Sequence, residues 1–222
     1  FWRPFAHGGP MPTDLPYPVG PRQNRVTPTS TIVAATGRGL FMGNRGCLHD
    51  NAGRVVRPWR GKLWITCLTE FKGRRRALMQ PGHYTELFFL DEAVSFAAGH
   101  RPCAECRRAD YLRFRAAWAA AGLPAAPRAG DMDRHLHPAR LLTFSGPRQY
   151  AELKNLPDGS FVHMGGAACL WHHGQLLPYR PEGYGAPLPR PAAEAVPVLT
   201  PAPFLRILAA GYGPVVHPSA PT

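Results

Sequence analysis

Lysine is nearly absent from this 222-residue chain: Lys62, Lys72 and Lys154 are the only three. Acidic residues are also few, at 14, so a formal charge of +12 rests almost wholly on arginine. No run approaches the roughly 18 apolar residues that a membrane-spanning helix needs. Nor does a basic-then-apolar segment with a small-residue cleavage site open the chain. The expectation is therefore a cytoplasmic protein with no membrane partner. Cysteine is scarce and odd in number, five in all, which excludes a disulfide framework. Phosphate loops, dinucleotide fingerprints and Gly-x-Ser-x-Gly elbows are missing too, so the nucleotide-dependent and serine-hydrolase classes that carry them are excluded.

What is present is a globular composition. Hydrophobic residues make up 45% of the chain, enough for a core, while 26 prolines and 23 glycines imply short elements joined by many ordered loops. Length fits one domain. The first methionine is Met11, so residues 1–10 are read as an appended or upstream stretch, residues 1–21 as an extended N-terminal segment, and 22–220 as a single α+β zinc-binding domain. Apolar and β-branched runs predict strands at Thr31–Thr36, Gly39–Met42, Arg54–Arg57, Lys62–Cys67, Arg75–Met79 and Tyr84–Leu90. Asp91 reads as the cap of a short helix ending at Gly99. Tyr111, Phe114 and Trp118 form an apolar stripe on one long amphipathic helix, Glu105–Ala121, stopped by Gly122 and Pro124. A shorter helix is expected at Pro138–Phe144, a β-meander across Phe161–Tyr179, and a last helix at Pro203–Ala210.

The densest chemical signal is Pro102-Cys103-Ala-Glu-Cys106. Two thiols spaced this way from one turn suit zinc, and a helix start behind the second cysteine favours thiolate. The stretch Phe88-Phe-Leu-Asp-Glu-Ala-Val-Ser-Phe-Ala-Ala-Gly-His-Arg-Pro-Cys-Ala-Glu-Cys106 resembles the second half of the metal-binding domain of Ada-type alkylation-repair proteins. That pattern is an aromatic pair, a short Glu-Ala helix, then Ala-Gly-aromatic-Arg-Pro-Cys and a second cysteine. The resemblance covers about 20 residues and implies a zinc site completed by two upstream ligands. The family's closely spaced first pair has no counterpart here, and alkyl transfer is not carried over. Cys47, His49 and Cys67 are the candidates; Cys67 is expected as third ligand and His49 as fourth.

Two further metal readings stay open. His83 and Glu86 before Pro-Cys-x-x-Cys imitate a nucleobase deaminase, but the His–Glu spacing and the gap to Cys103 are both wrong for one. Asp131-Met-Asp133-Arg-His135-Leu-His137 is a polar cluster of the kind that begins hydrolytic metal sites; with Pro138 following, it reads as a loop. Glu86, Asp133, His135 and His137 are thus the catalytic candidates of a metal-dependent hydrolase acting on a small ester, lactone or amide. His172 and His173, in a predicted strand, are expected on opposite faces and so cannot easily share one metal.

Arg74, Arg75 and Arg76 form the densest basic run, and Arg107 and Arg108 follow the cysteine pair. Together they are the candidate phosphate-gripping face, with Trp59, Trp64 and Tyr84 available for stacking. Two functions follow from different classes: a zinc-binding, nucleic-acid-associated protein of repair or processing, and the small-molecule hydrolase.

Overall fold

Short apolar runs broken by glycine and proline form two six-stranded sheets, seen in a computed structural model that describes residues 20–73, 77–126, 128–146, 149–190 and 195–221. The first sheet is built from β1 (Gln23–Val26), β2 (Ile32–Ala34), β3 (Phe41–Asn44), β4 (Ile65–Leu68), β5 (Leu87–Phe89) and β6 (Arg101–Pro102), in the order β2-β1-β5-β3-β4-β6. Helix α1 (Glu92–Ala97) separates β5 from β6. Helices α2 (Arg108–Ala120) and α3 (Ala129–Leu142) then lead to the second sheet. It comprises β7 (Gln149–Ala151), β8 (Ser160–Met164), β9 (Ala167–His172), β10 (Gln175–Arg180), β11 (Gly183–Tyr184) and β12 (Val196–Val198), ordered β11-β10-β9-β8-β12-β7. Helix α4 (Ala202–Ala209) follows. The architecture is α+β.

The β8–β9–β10 meander is present as expected, and its alternation explains its place. Phe161, Leu170 and Leu177 stand in register and pack into a core shared with Val26, Leu87 and Phe89 of the first sheet. Their neighbours Val162, Cys169 and Leu176 point the other way, into a core with Val196 and Val198. Cys169 is thus a buried core thiol.

The α2 stripe is likewise buried. Tyr111, Phe114 and Trp118 pack against Met132 and Leu136 of α3 and Phe204 and Ile207 of α4, each large apolar side chain contributing roughly 1.5–3 kcal/mol by leaving water. The expected single long helix has a companion, because α3 spans 14 residues and includes the segment read as a loop. Proline inside a helix costs a hydrogen bond. Here Met132, Leu136 and Arg140 bury one face, and the Asp131 carboxylate accepts the Arg128 N–H at the helix start, which together outweigh Pro138.

The remaining strands fare differently. Residues 23–26, for which no strand was expected, form β1. Arg54–Arg57 holds only an isolated bridge, Val55 to His49. β7 and β12, strands of three residues each, carry too short a pattern to be read. Arg75–Met79 lies partly outside the described residues.

Asp91 caps α1 by accepting the Val94 N–H at 2.9 Å and also takes the Tyr184 hydroxyl at 2.6 Å and the His217 N–H at 3.0 Å. Glu92 takes the Tyr212 hydroxyl and the Val215 N–H. These two buried carboxylates tie α1 to the second sheet and the C-terminal tail; burial raises the pKa of both.

Candidate metal centre

β4 and β6 run parallel, with Ile65 opposite Arg101 and Thr66 opposite Pro102. The Cys103 N–H continues this ladder by donating to the Thr66 carbonyl at 2.9 Å. Cys67 in β4 and Cys103 just beyond β6 are therefore neighbours by strand pairing. The chain turns at once, the Arg107 N–H reaching the Cys103 carbonyl at 3.2 Å, and the turn brings Cys106 back before α2 begins. Sulfur atoms of Cys67, Cys103 and Cys106 all lie within 4.8 Å of one another, each residue half-buried.

Three thiols this close titrate as one unit. Hydrogen bonds from the Cys106 and Cys67 thiols hold Cys103 far below the ordinary thiol range, while the contacts with Cys103 push Cys67 and Cys106 upward. The Glu105 N–H also points at Cys103 Sγ, 3.4 Å away. An amide donor on a thiolate is the outer-shell support that metal-bound sulfur receives. The donor set suits a soft or borderline ion bound by sulfur, and the three cysteines can hold a metal ion.

His49 lies outside this group. It is 6% exposed, with Nδ1 against the Thr85 hydroxyl at 2.6 Å and Nε2 against the Gln80 carbonyl at 3.1 Å. A carbonyl can only accept, so Nε2 carries the proton and the Nδ1 lone pair faces Thr85. Neither nitrogen is free for a metal here. The Cys47 thiol donates to the His49 carbonyl and is likewise apart.

The catalytic candidates are dispersed. Glu86 is buried and accepts the Met79 N–H at 2.6 Å. His135 packs edge-on to Trp118 with ring centroids 5.3 Å apart, and His137 lies edge-on to Trp59 and Trp64. Asp133 is buried between two arginines. Arg101 grips it with two bonds, Nε to Oδ1 at 3.0 Å and Nη2 to Oδ2 at 2.6 Å, and Arg140 Nη2 adds a third at 3.1 Å. Arg140 further donates to the carbonyls of Gly99 and Lys62. Gly99 has a φ of 80° and a Cβ there would sit 2.8 Å from Arg140 Cγ, so glycine permits both the turn and the close approach. Asp133 is thus a pillar behind β6, holding the strand that delivers Cys103. Sequence pattern gave no means of singling out Arg101 and Arg140 among so many arginines.

The basic face also changes. Arg107 is 3% exposed, paired with Glu92 and Asp110 at 2.7 Å each and lying over the Phe41 ring, so it cannot grip phosphate. Trp64 is fully buried. Arg108 is exposed, as are Arg57, Arg60, Lys62 and Lys72 on either side of β4. Arg74, Arg75 and Arg76 lie outside the described residues. Among the described residues, no helix is long and apolar enough to cross a membrane. Comparison with protein-family models, with curated proteins and with solved structures finds no match for the chain.

Proposed function

We propose that the chain is a zinc protein associated with nucleic acid, with the Cys67–Cys103–Cys106 centre clamping β4 to the start of α2. The carrying observation is the convergence of three thiol sulfurs within 4.8 Å from two separate chain segments, a donor set typical of structural zinc. The resemblance of residues 88–106 to the metal-binding module of Ada-type proteins supports the reading. Charge supports the nucleic-acid side. The buried polar groups include four arginines (Arg45, Arg101, Arg107, Arg140) and four carboxylates (Glu86, Asp91, Glu92, Asp133). The described interior therefore cancels, and the whole +12 excess is carried outside it. A surface of that sign, with Arg108, Lys62 and Lys72 flanking the metal segments, favours phosphate partners. Elemental analysis should find zinc, and binding to single- and double-stranded oligonucleotides should weaken steeply with salt. No oligonucleotide binding at low salt overturns the reading.

One observation favours the hydrolase instead: among the described residues three side chains converge, which would leave a fourth position for water, as catalytic zinc does. Against it, three thiolates outweigh the charge of the ion and weaken it as a Lewis acid, and Glu86, Asp133, His135 and His137 stand outside the sulfur group. Cobalt substitution separates the two. Absorption of a four-ligand centre unaffected by small anions supports the clamp, whereas a spectrum that shifts on anion binding supports an open, reactive site.

A further inference from the structure

A second convergence of donor atoms lies at the opposite sheet, on the β9–β10 hairpin. β9 ends at His172, which pairs with Gln175 of β10, leaving His173 and Gly174 as a two-residue connection with φ of 46° and 74°. Positive φ at both positions is the primed turn that matches strand twist. Alternation of side chains across a sheet holds only while residues are extended. His173 is not extended, so its ring swings beside His172 instead of opposite it, with ring centroids 4.0 Å apart. The expectation that the two histidines face away from each other fails for this reason.

Asp158, in the turn before β8, completes the cluster. Its Oδ1 accepts the His173 N–H at 3.0 Å and its Oδ2 stands 3.1 Å from His173 Nδ1. One ligand atom from each of Asp158, His172 and His173 lies within 4.8 Å of the others. His172 Nδ1 is buried with no hydrogen-bond partner, an orphan that an ordinary surface histidine does not keep. Two imidazoles in ring contact repel if both are charged, and an exposed ion pair to Asp158 is worth only about 0–1 kcal/mol. A cation bound by one nitrogen of each ring removes that repulsion, because both imidazoles are then held neutral. Ligands each about 2.0–2.2 Å from a metal stand roughly 3 Å apart, close to the His173–Asp158 separation.

We propose that Asp158, His172 and His173 form a second metal site, for a divalent transition ion such as zinc or nickel. Two neutral nitrogens and one carboxylate are borderline-to-hard donors, so this site differs in preference from the thiolate centre. It also faces a cleft of about 280 Å³ lined by Tyr212, Gly213 and Pro214, which leaves the remaining coordination positions open to water or a small ligand. The proposal does not rest on the nucleic-acid reading, and its test counts metal beyond the equivalent that the thiolate centre holds.

The test uses the full chain already carrying its first equivalent of zinc. Calorimetric titration with Ni²⁺ and with Zn²⁺, followed by dialysis and elemental analysis, should register one further equivalent. His172→Gln and His173→Asn should each weaken that second event by about 100-fold or more, since even outer-shell partners of a metal are worth roughly 10–100-fold. Asparagine tolerates the left-handed turn, so the His173→Asn protein should keep the wild-type melting temperature without metal; Asp158→Asn supplies a variant outside the turn. The first equivalent should survive in all three. Absence of a second equivalent in the wild type, or its undiminished persistence in the His172 and His173 variants, overturns the site.

Discussion

The two sheets gather donor atoms by opposite means. In the first, Cys67 and Cys103 belong to distant segments and meet because β4 and β6 pair in parallel. In the second, His172 and His173 are adjacent in sequence and meet because one residue of a tight turn takes a positive φ. A site assembled by long-range pairing depends on whatever holds the strands, here the Asp133 pillar with Arg101 and Arg140. A site assembled by a turn depends on little beyond the turn. Damage to the first should therefore spread through the molecule, and damage to the second should stay local.

The largest effect should come from stripping the thiolate centre. Cys103→Ser or Cys106→Ser should lose the first zinc and lower the melting temperature by roughly 10 °C or more, because metal binding free energy is also folding free energy. His173→Asn, measured beside them, should leave melting almost unmoved. Equal shifts in both would erase the contrast between the sites.

Next in size is the pillar. Asp133→Asn leaves two buried arginines short of their counter-charge and should cost about 3–5 kcal/mol, the range for breaking a buried ion pair. Denaturant melts would read it, and zinc should leave the variant faster on chelator challenge. His135→Ala is the control: this residue is only partly buried against Trp118, and the change should leave zinc retention as it is. A hydrolase with His135 at its centre would show the reverse ranking in activity.

Acid sensitivity should come third. His100 is fully buried between Phe89 and Trp64. Burial, then the charges of Arg45 and Arg140, hold its pKa well below the ordinary value of 6.5. The unfolded chain therefore binds a proton that the folded one refuses. Stability is kept above about pH 6.5 and falls below it by up to about 1.4 kcal/mol per pH unit. Asp91 and Glu92, raised by burial, act in the opposite sense at lower pH. His100→Phe isolates the histidine: melts at pH 7.5, 6.5 and 5.5 should lose the acid-side slope attributable to it. An unchanged slope would place the acid-sensitive group elsewhere.

The smallest effect concerns the surface. If Arg108 contacts phosphate, Arg108→Ala should reduce the slope of log affinity against log salt by about 0.9, one released counterion, with melting unchanged. Arg107→Ala, next along the chain, should instead destabilise the fold, since its partners Glu92 and Asp110 lose their cation. Two neighbouring arginines would then be separated by burial alone.

Much of the scaffold was legible because its cues are local. The Asp91 cap marks a helix start, the Tyr111–Phe114–Trp118 stripe and the alternating meander repeat periods that the backbone imposes, and the structure has all three. The cysteine turn is local as well, and Cys67, singled out by its position at a predicted strand, joins it. Other assignments failed where a non-local energy overrode a local rule. Pro138 signals a break, yet the buried face of α3 carries the helix through it. Asp133 and Arg107 look like site residues by type, but both are consumed by partners that no spacing rule locates.

The sequence by itself determined a basic, cysteine-poor, proline-rich α+β chain with one tight cysteine turn, because composition and periodicity are properties of neighbours along the chain. Tertiary structure alone decided that His49 stands apart from the thiol trio, which arginines are interior struts, and that two adjacent histidines lie on one side. Each of those is set by strand pairing, burial or a backbone dihedral. These depend on what lies across the fold, and adjacency in the chain carries no record of it.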